Sequence, residues 1–404
     1  MPPTRSLVLA LAWSISLAAC GGSEGLECPA AGAPLGVGGP ELQPEWGAGC
    51  IESDWTAEVE PANPTWTIEL RRDASIAGLH VTRLLDGVAA VVGNELILID
   101  GSGNELISRQ LGARGNWNDF VATEDGRMIS ATAPSGVPQY RVLAASGGEV
   151  WLRLLDSSDP EFLVSGPPGV ALAEDGTLWV ALSQFQVSEG EVRLEVQQWA
   201  VTGSKLSQVA LPGVFDTRFA RDGAGRFAVI DEGIEQGIVL FEPDGTPIGR
   251  ADTSLSTIQV LGLAEGFVAG GEADGLPTVV RIDGQAGVVW RRELEADYID
   301  DYNYSYVSGL AALPDGGVVA IGAEDLVHQI YSQSPITWSS QPFVIALDEQ
   351  GVPTWGERLA VGGRGWAVTV GSAGEVYVSG LAQASKPNEY GYADEIGWLR
   401  RYDP

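Results

Sequence analysis

The residues best suited to chemistry lie in one stretch, Asp297-Tyr298-Ile299-Asp300-Asp301-Tyr302-Asn303-Tyr304-Ser305-Tyr306. Asp297, Asp300, Asp301 and Asn303 place three carboxylates and an amide close together, a set of hard oxygen ligands suited to Ca²⁺. Their spacing departs from the EF-hand loop and lacks its glycine. The interleaved tyrosines suit a binding surface equally well, because Tyr gives contact area at low entropy cost. A third reading is a solvated acidic connection whose tyrosines pack on the scaffold beneath. Calcium is the one cofactor these residues suggest; none other is expected.

Other chemical signals are sparse. The chain has two histidines, His80 and His328, and neither has partners at the spacing of a Ser-His-Asp site or a metal site. Gly21-Gly22-Ser23-Glu24-Gly25 fits the nucleophile-elbow pattern, which has meaning only between a strand and a helix. Here it lies in a Gly-rich stretch and reads as a spacer.

Composition narrows the classes further. A net charge of −31 leaves no basic face for phosphate neutralisation, so nucleic acid is excluded as a partner. With 53 Gly, 13 Trp and 45% apolar residues, the chain reads as an all-β repeat protein rich in tight turns, not as a disordered one.

The N-terminus reads as a processing signal. Leu7 to Ala19 is apolar, too short for a spanning helix, and ends in Leu17-Ala18-Ala19-Cys20. That box resembles the lipobox of bacterial lipoproteins, which implies cleavage before Cys20 and acylation of its thiol. Gly21 at the next position points to the outer membrane or cell surface. Acyl chains on one cysteine would be the only membrane attachment. Cys28 and Cys50 follow in a Gly/Pro-rich segment, with no cysteine beyond. In an exported chain they most simply pair; a metal site is the alternative, without a His or second cysteine pair nearby. Residues 1–19 are therefore expected to be a signal, 20–62 a disulfide-closed tether, and 63–404 the folded domain.

Within 63–404 two signals recur. The first is a Gly turn between apolar runs, centred on Gly87, Gly126, Gly176, Gly225, Gly266, Gly316 and Gly374. Such turns need positive φ, and their spacing of several tens of residues matches propeller blades. The second is an outer hairpin found in six copies, as in VVRIDGQAGVVW (Val279–Trp290) and VIALDEQGVPTW (Val344–Trp355). The best-formed unit predicts four strands at Leu310–Leu313, Gly317–Gly322, Phe343–Asp348 and Pro353–Leu359. The seventh copy lacks its outer strand, and Asn63–Leu70 reads like Val352–Leu359. The expectation is a seven-bladed β-propeller of four-stranded antiparallel blades. Its last blade is closed by the N-terminal strand Thr65–Leu70, the Velcro arrangement that protects terminal edges.

The Asp-x-x-Gly-x-x-x-Trp outer turn resembles the tryptophan-docking turn of quinoprotein-like propellers, and the whole is similar to exported bacterial propeller repeat proteins. The resemblance implies that each Trp packs between neighbouring blades. It does not extend to quinone dehydrogenase chemistry, since the vicinal cysteines of those enzymes have no counterpart here. It also departs from the usual eight blades, and several copies lack the Trp.

Long insertions fall in the links between middle strands and between blades: Asp156–Pro168, Gln184–Glu191, Ala296–Tyr306, Glu324–Gln341 and Leu381–Glu395. In a propeller these share one face. The last three lie in adjacent blades, so Tyr302, Tyr304, Tyr331, Trp338, Tyr390 and Tyr392 are expected to share a binding surface with Asp297, Asp300 and Asp301. The functional expectation is a monomeric, lipid-anchored, non-catalytic scaffold for an envelope protein or glycan. The alternative is a hydrolase or lyase acting on polysaccharide or ester through carboxylates at the channel mouth.

Overall fold

The computed structural model describes residues 59–403, apart from 71–78, 111–116, 134–136, 232–236, 295–304, 329–336, 360–362, 384–394 and one or two positions in several turns. The described residues form seven antiparallel sheets, which pack side by side into a closed ring: a seven-bladed β-propeller. Blade one runs Leu79–Leu84, Gly87–Val92, Glu95–Asp100 and Glu105–Gln110. Blades two to six follow in chain order, each with its four strands paired as neighbours. The inner strand of every blade contacts that of the next, and blade seven returns to blade one.

Alternation explains the packing. The middle strands of blade one are apolar on both faces because both face a neighbouring blade, as in Gly87–Val92, where all but Val92 are buried. One face of blade one (Val88, Ala90, Ile97, Ile99) packs on Tyr377, Leu381 and Leu399 of blade seven. The other (Ala89, Val91, Leu96, Leu98) packs on Phe120, Met128 and Leu143 of blade two. The apolar interior is thus divided among the interfaces between blades instead of gathering in one core.

All seven inner turns carry their glycine at positive φ, from 74° at Gly266 to 134° at Gly87. The closing strand is Trp66–Leu70, paired antiparallel with Glu395–Tyr402 from Trp66↔Arg401 to Leu70↔Gly397. One contact lies outside the sequence-based scheme. Glu60–Pro61, expected to be tether, pairs in parallel with Trp355–Gly356 and gives blade six a fifth strand.

Three tryptophans dock on the outer turn of the next blade. Trp66 of blade seven lies on the outer turn of blade one, its indole N–H donating to the Gly101 carbonyl at 3.0 Å. Trp290 of blade five does the same to Glu349 of blade six at 3.0 Å. Trp151 of blade two lies against Gly203 of blade three. The turn residue beneath is glycine in five of the six outer hairpins, with φ between 76° at Gly147 and 90° at Gly203; Ala286 adopts 66° in the sixth.

Strand lengths in blade six correct the expectation. Its second and third strands are Val318–His328 and Thr337–Leu347, continuously paired to His328↔Thr337. Much of the segment read as an insertion, Glu324–Gln341, is therefore hairpin, and His328 ends a strand instead of sitting in a loop. Asp156–Pro168 likewise contains the start of the inner strand Phe162–Leu172.

Candidate site on blade three

Blade three rises above its neighbours. Its second and third strands, Leu178–Gln186 and Val192–Trp199, pair out to Phe185↔Val192. The corresponding strands in blade two, Met128–Thr132 and Gln139–Leu143, and in blade four, Phe227–Asp231 and Gly237–Phe241, have five residues each. The sequence changes where blade two ends. Leu178, Val180 and Leu182 pack on blade two, and the next residues of that face are Gln184 and Gln186. On the third strand Arg193, Glu195 and Gln197 occupy the same face before Trp199 rejoins the core.

These side chains form one network. Glu195 is 1% exposed. Its Oε2 accepts from Gln184 Nε2 at 2.9 Å and lies 3.9 Å from Arg193. Its Oε1 accepts from Gln197 Nε2 at 2.6 Å, with Lys205 Nζ at 3.7 Å. A carboxylate this deep would be very costly without such partners. Arg193 donates from Nε to Gln184 Oε1 at 2.7 Å and from a terminal nitrogen to Asp159 Oδ2 at 3.4 Å. Its guanidinium lies 3.6 Å from the centroid of the Phe162 ring, a cation–π contact. Gln197 Oε1 in turn accepts from Trp199 Nε1 at 3.1 Å.

The network forms one wall of an open cavity of about 460 Å³, lined also by Asp159, Pro160, Gln208, Val209 and Ala210. On the opposite face of the same hairpin, Leu163 and Phe185 are cross-strand partners and stand 59% and 38% exposed, beyond the reach of blade four. The hairpin thus presents a polar recess on one side and an apolar pair on the other.

Of the residues singled out by sequence, Asp297, Asp300, Asp301, Tyr302, Asn303, Tyr304, Tyr331, Tyr390 and Tyr392 lie outside the described residues, as do Cys20, Cys28 and Cys50. Trp338 pairs through its backbone with Val327. The strand ends that border those three segments of blades six and seven, at Glu293 and Tyr306, His328 and Thr337, and Gln383 and Glu395, fall at the same end of the ring as Gln186 and Val192. Among the described residues no group of three or more His, Cys, Asp or Glu could hold a metal. Sequence reasoning marked Asp156–Pro168 and Gln184–Glu191 as insertions but missed Gln184, Arg193, Glu195 and Gln197. The available signal was the run of polar residues at alternate positions of otherwise apolar strands.

A second buried network joins blades six and seven. Glu357 accepts from Arg400 at 2.9 Å and from the Tyr402 hydroxyl at 2.8 Å. Burial pushes the Tyr402 hydroxyl well above the usual phenol range, with Glu357 adding to the effect. Within blade six, Glu324 and Arg358 form a buried ion pair at 2.7 Å. The Glu324–Arg358 pair is enclosed, Glu357 is partly exposed, and both sets brace the ring.

A closed ring of seven four-stranded blades is the β-propeller architecture, and comparison with solved structures agrees. The WD40 repeats of RRP9 match with a TM-score of 0.55 at 14% identity, covering 87% of this chain and 100% of that one. YCF48 bound to D1 peptide matches at 0.51 and 14%, covering 86% and 98%. BBS1N in complex with ARL6 matches at 0.51 and 10%, covering 85% and 97%. At these identities the likeness concerns the fold alone. No protein-family model matches the chain, and no curated protein does.

Proposed function

We propose that this propeller is a non-catalytic binding scaffold of the cell envelope, and that it recognises its partner with the rim carrying the blade-three hairpin. The observation that carries this reading is the hairpin itself: a rigid, fully paired element raised above its neighbours, with a polar recess on one side and exposed Leu163 and Phe185 on the other. Single exposed apolar residues are ordinary, whereas an apolar pair adjoining a cavity at the rim of a scaffold has the form of a binding site. The RRP9, YCF48 and BBS1N propellers illustrate how broadly the fold is used, and two of them were solved with a protein or peptide bound.

The alternative, a hydrolase or lyase acting through carboxylates at the channel mouth, draws no support from this recess. A general acid needs a carboxyl group free to exchange its proton with substrate. Glu195 is instead saturated by amide and cationic partners, and Asp159 is engaged by Arg193.

Location enters the same proposal. The Leu17–Cys20 box supports export and acylation at Cys20, with a Cys28–Cys50 disulfide in the tether. The outer-turn motif supports a place among quinoprotein-like lipoprotein propellers. The aromatic and acidic segments around Asp297, Tyr331 and Tyr390 would extend the recognition rim across blades six and seven.

The test is retention of envelope components on immobilised propeller, protein and glycan fractions assayed separately, against a variant carrying Leu163→Asp and Phe185→Asp. Both side chains are exposed, so thermal unfolding should be unchanged. The expected result is loss of the retained component. Identical retention by the variant overturns the assignment of this rim.

A further inference from the structure

We propose that the blade-three cavity binds a neutral sugar residue, a hexose unit within a glycan; this rests on the binding reading above and names its ligand. The argument begins with charge. Two cations, Arg193 and Lys205, and two anions, Glu195 and Asp159, meet at this site and compensate one another by direct contact. An anionic ligand would find Arg193 already engaged by Asp159 and Glu195. A cationic ligand would find Glu195 already saturated. Neither gains a free countercharge, whereas a neutral ligand needs none and uses only the hydrogen-bonding capacity that the ion pairs leave open.

Geometry and surface chemistry select among neutral ligands. The polar groups are planar: a guanidinium stacked on the Phe162 ring, a carboxylate at Asp159 paired with it, and the exposed amide of Gln208. Planar groups of this kind pair with adjacent hydroxyls, two at a time, as carboxylates and guanidinium groups do with matching partners. Beside them Pro160 and Ala210 supply a small apolar surface, while the Val209 side chain turns to Gly245 of blade four. A hexose has both counterparts, vicinal hydroxyls around its rim and a C–H face. The cavity, about 460 Å³ and open to solvent, admits one such ring with its neighbours in a chain leaving on either side.

Saturation-transfer NMR and calorimetry on the whole propeller test this, using methyl hexopyranosides as neutral probes, with a hexuronic acid and a hexosamine as charged counterparts. A single sugar with few contacts is expected to bind with Kd on the order of 1 mM. Ala210→Trp fills the cavity from an exposed position, and Gln208→Ala removes an exposed amide. Each should weaken neutral binding at least ~10-fold with unfolding temperature unchanged, and the charged sugars should bind more weakly than the neutral ones. Failure of every neutral hexoside to bind overturns the proposal, as does undiminished binding by Ala210→Trp or preference for a charged sugar. If hexosides fail while the Leu163→Asp, Phe185→Asp variant still loses a retained protein, the sugar is wrong and the binding rim stands.

Discussion

At the scale of single residues, the turn beneath each docked tryptophan sets two demands at once. It must adopt positive φ, and it must leave room for an indole. Gly176, at φ 78° and with nothing within 4 Å of where a methyl would stand, carries only the first demand. Gly351 carries both, since a Cβ there would lie 2.7 Å from Cδ2 of Trp290. Gly176→Ala should therefore cost about 1 kcal/mol, and Gly351→Ala roughly 2–3 kcal/mol, read as the difference in urea unfolding. Ala286 is the complement: it holds φ 66° with a methyl and faces Gly249 of blade four, not a tryptophan. Ala286→Gly should stabilise by about 0.5 kcal/mol, the relief of left-handed strain less the added freedom of the unfolded chain. Tyrosine ionisation makes a further test. Burial raises the hydroxyls of Tyr402 and Tyr140 above their ordinary value of 10.0. The unfolded chain then releases these protons first, so their contribution is fully present below pH 10 and is lost as pH rises above it. Unfolding midpoints should fall steeply above about pH 10, and Tyr402→Phe should flatten that fall while costing about 1–2 kcal/mol at neutral pH through the lost bond to Glu357.

At the scale of elements, the closing strand decides whether the ring survives. Removing residues 1–58 leaves Val59 and Trp66–Leu70 in place and should leave the melting transition unchanged. Removing residues 1–70 exposes the edge of Glu395–Tyr402 and strips Trp66 from its turn, a loss on the order of 4–5 kcal/mol that should also broaden the transition. A sharp, undiminished melt of the shorter chain would contradict that role. This strand was legible in the sequence because Pro-Thr-Trp-x-x-x-Leu at 64–70 repeats 353–359. Turn glycines were legible for a similar reason: one backbone geometry admits little else. Hairpin lengths were not. Beyond the neighbouring blades a strand is held by its own ladder, so its side chains need not alternate in polarity, and 324–328 and 337–341 read as loop. Glu60–Pro61 was hidden because proline argues against a strand except at an edge, which is where it lies. The recess on blade three stayed hidden for another reason. EVRLEVQQW alternates like any half-exposed strand, and the pattern does not distinguish a polar face turned to water from one closed over a cavity.

At the scale of the whole molecule, stability is distributed around a circle of seven similar interfaces, under a net charge of −31. Self-repulsion of that charge opposes the compact state and is screened over about 10 Å at 0.1 M salt. Raising sodium chloride from about 0.01 to 0.15 M should therefore raise the melting temperature by a few degrees; a fall would mean that attractive pairs such as Arg400–Glu357 outweigh the bulk charge. The fifth strand of blade six has a mechanical consequence. A pull on the chain from its N-terminal side reaches Glu60 and Pro61 before Trp66, and there it meets only two backbone pairs, set parallel against Trp355–Gly356. The closing strand behind has five pairs and a docked indole. Under load the weaker seam parts first and releases slack, so a sudden tug is absorbed at blade six before any force bears on the lock of the ring. In a single-molecule stretching experiment this would register as a small, reversible early extension well below the force of unfolding.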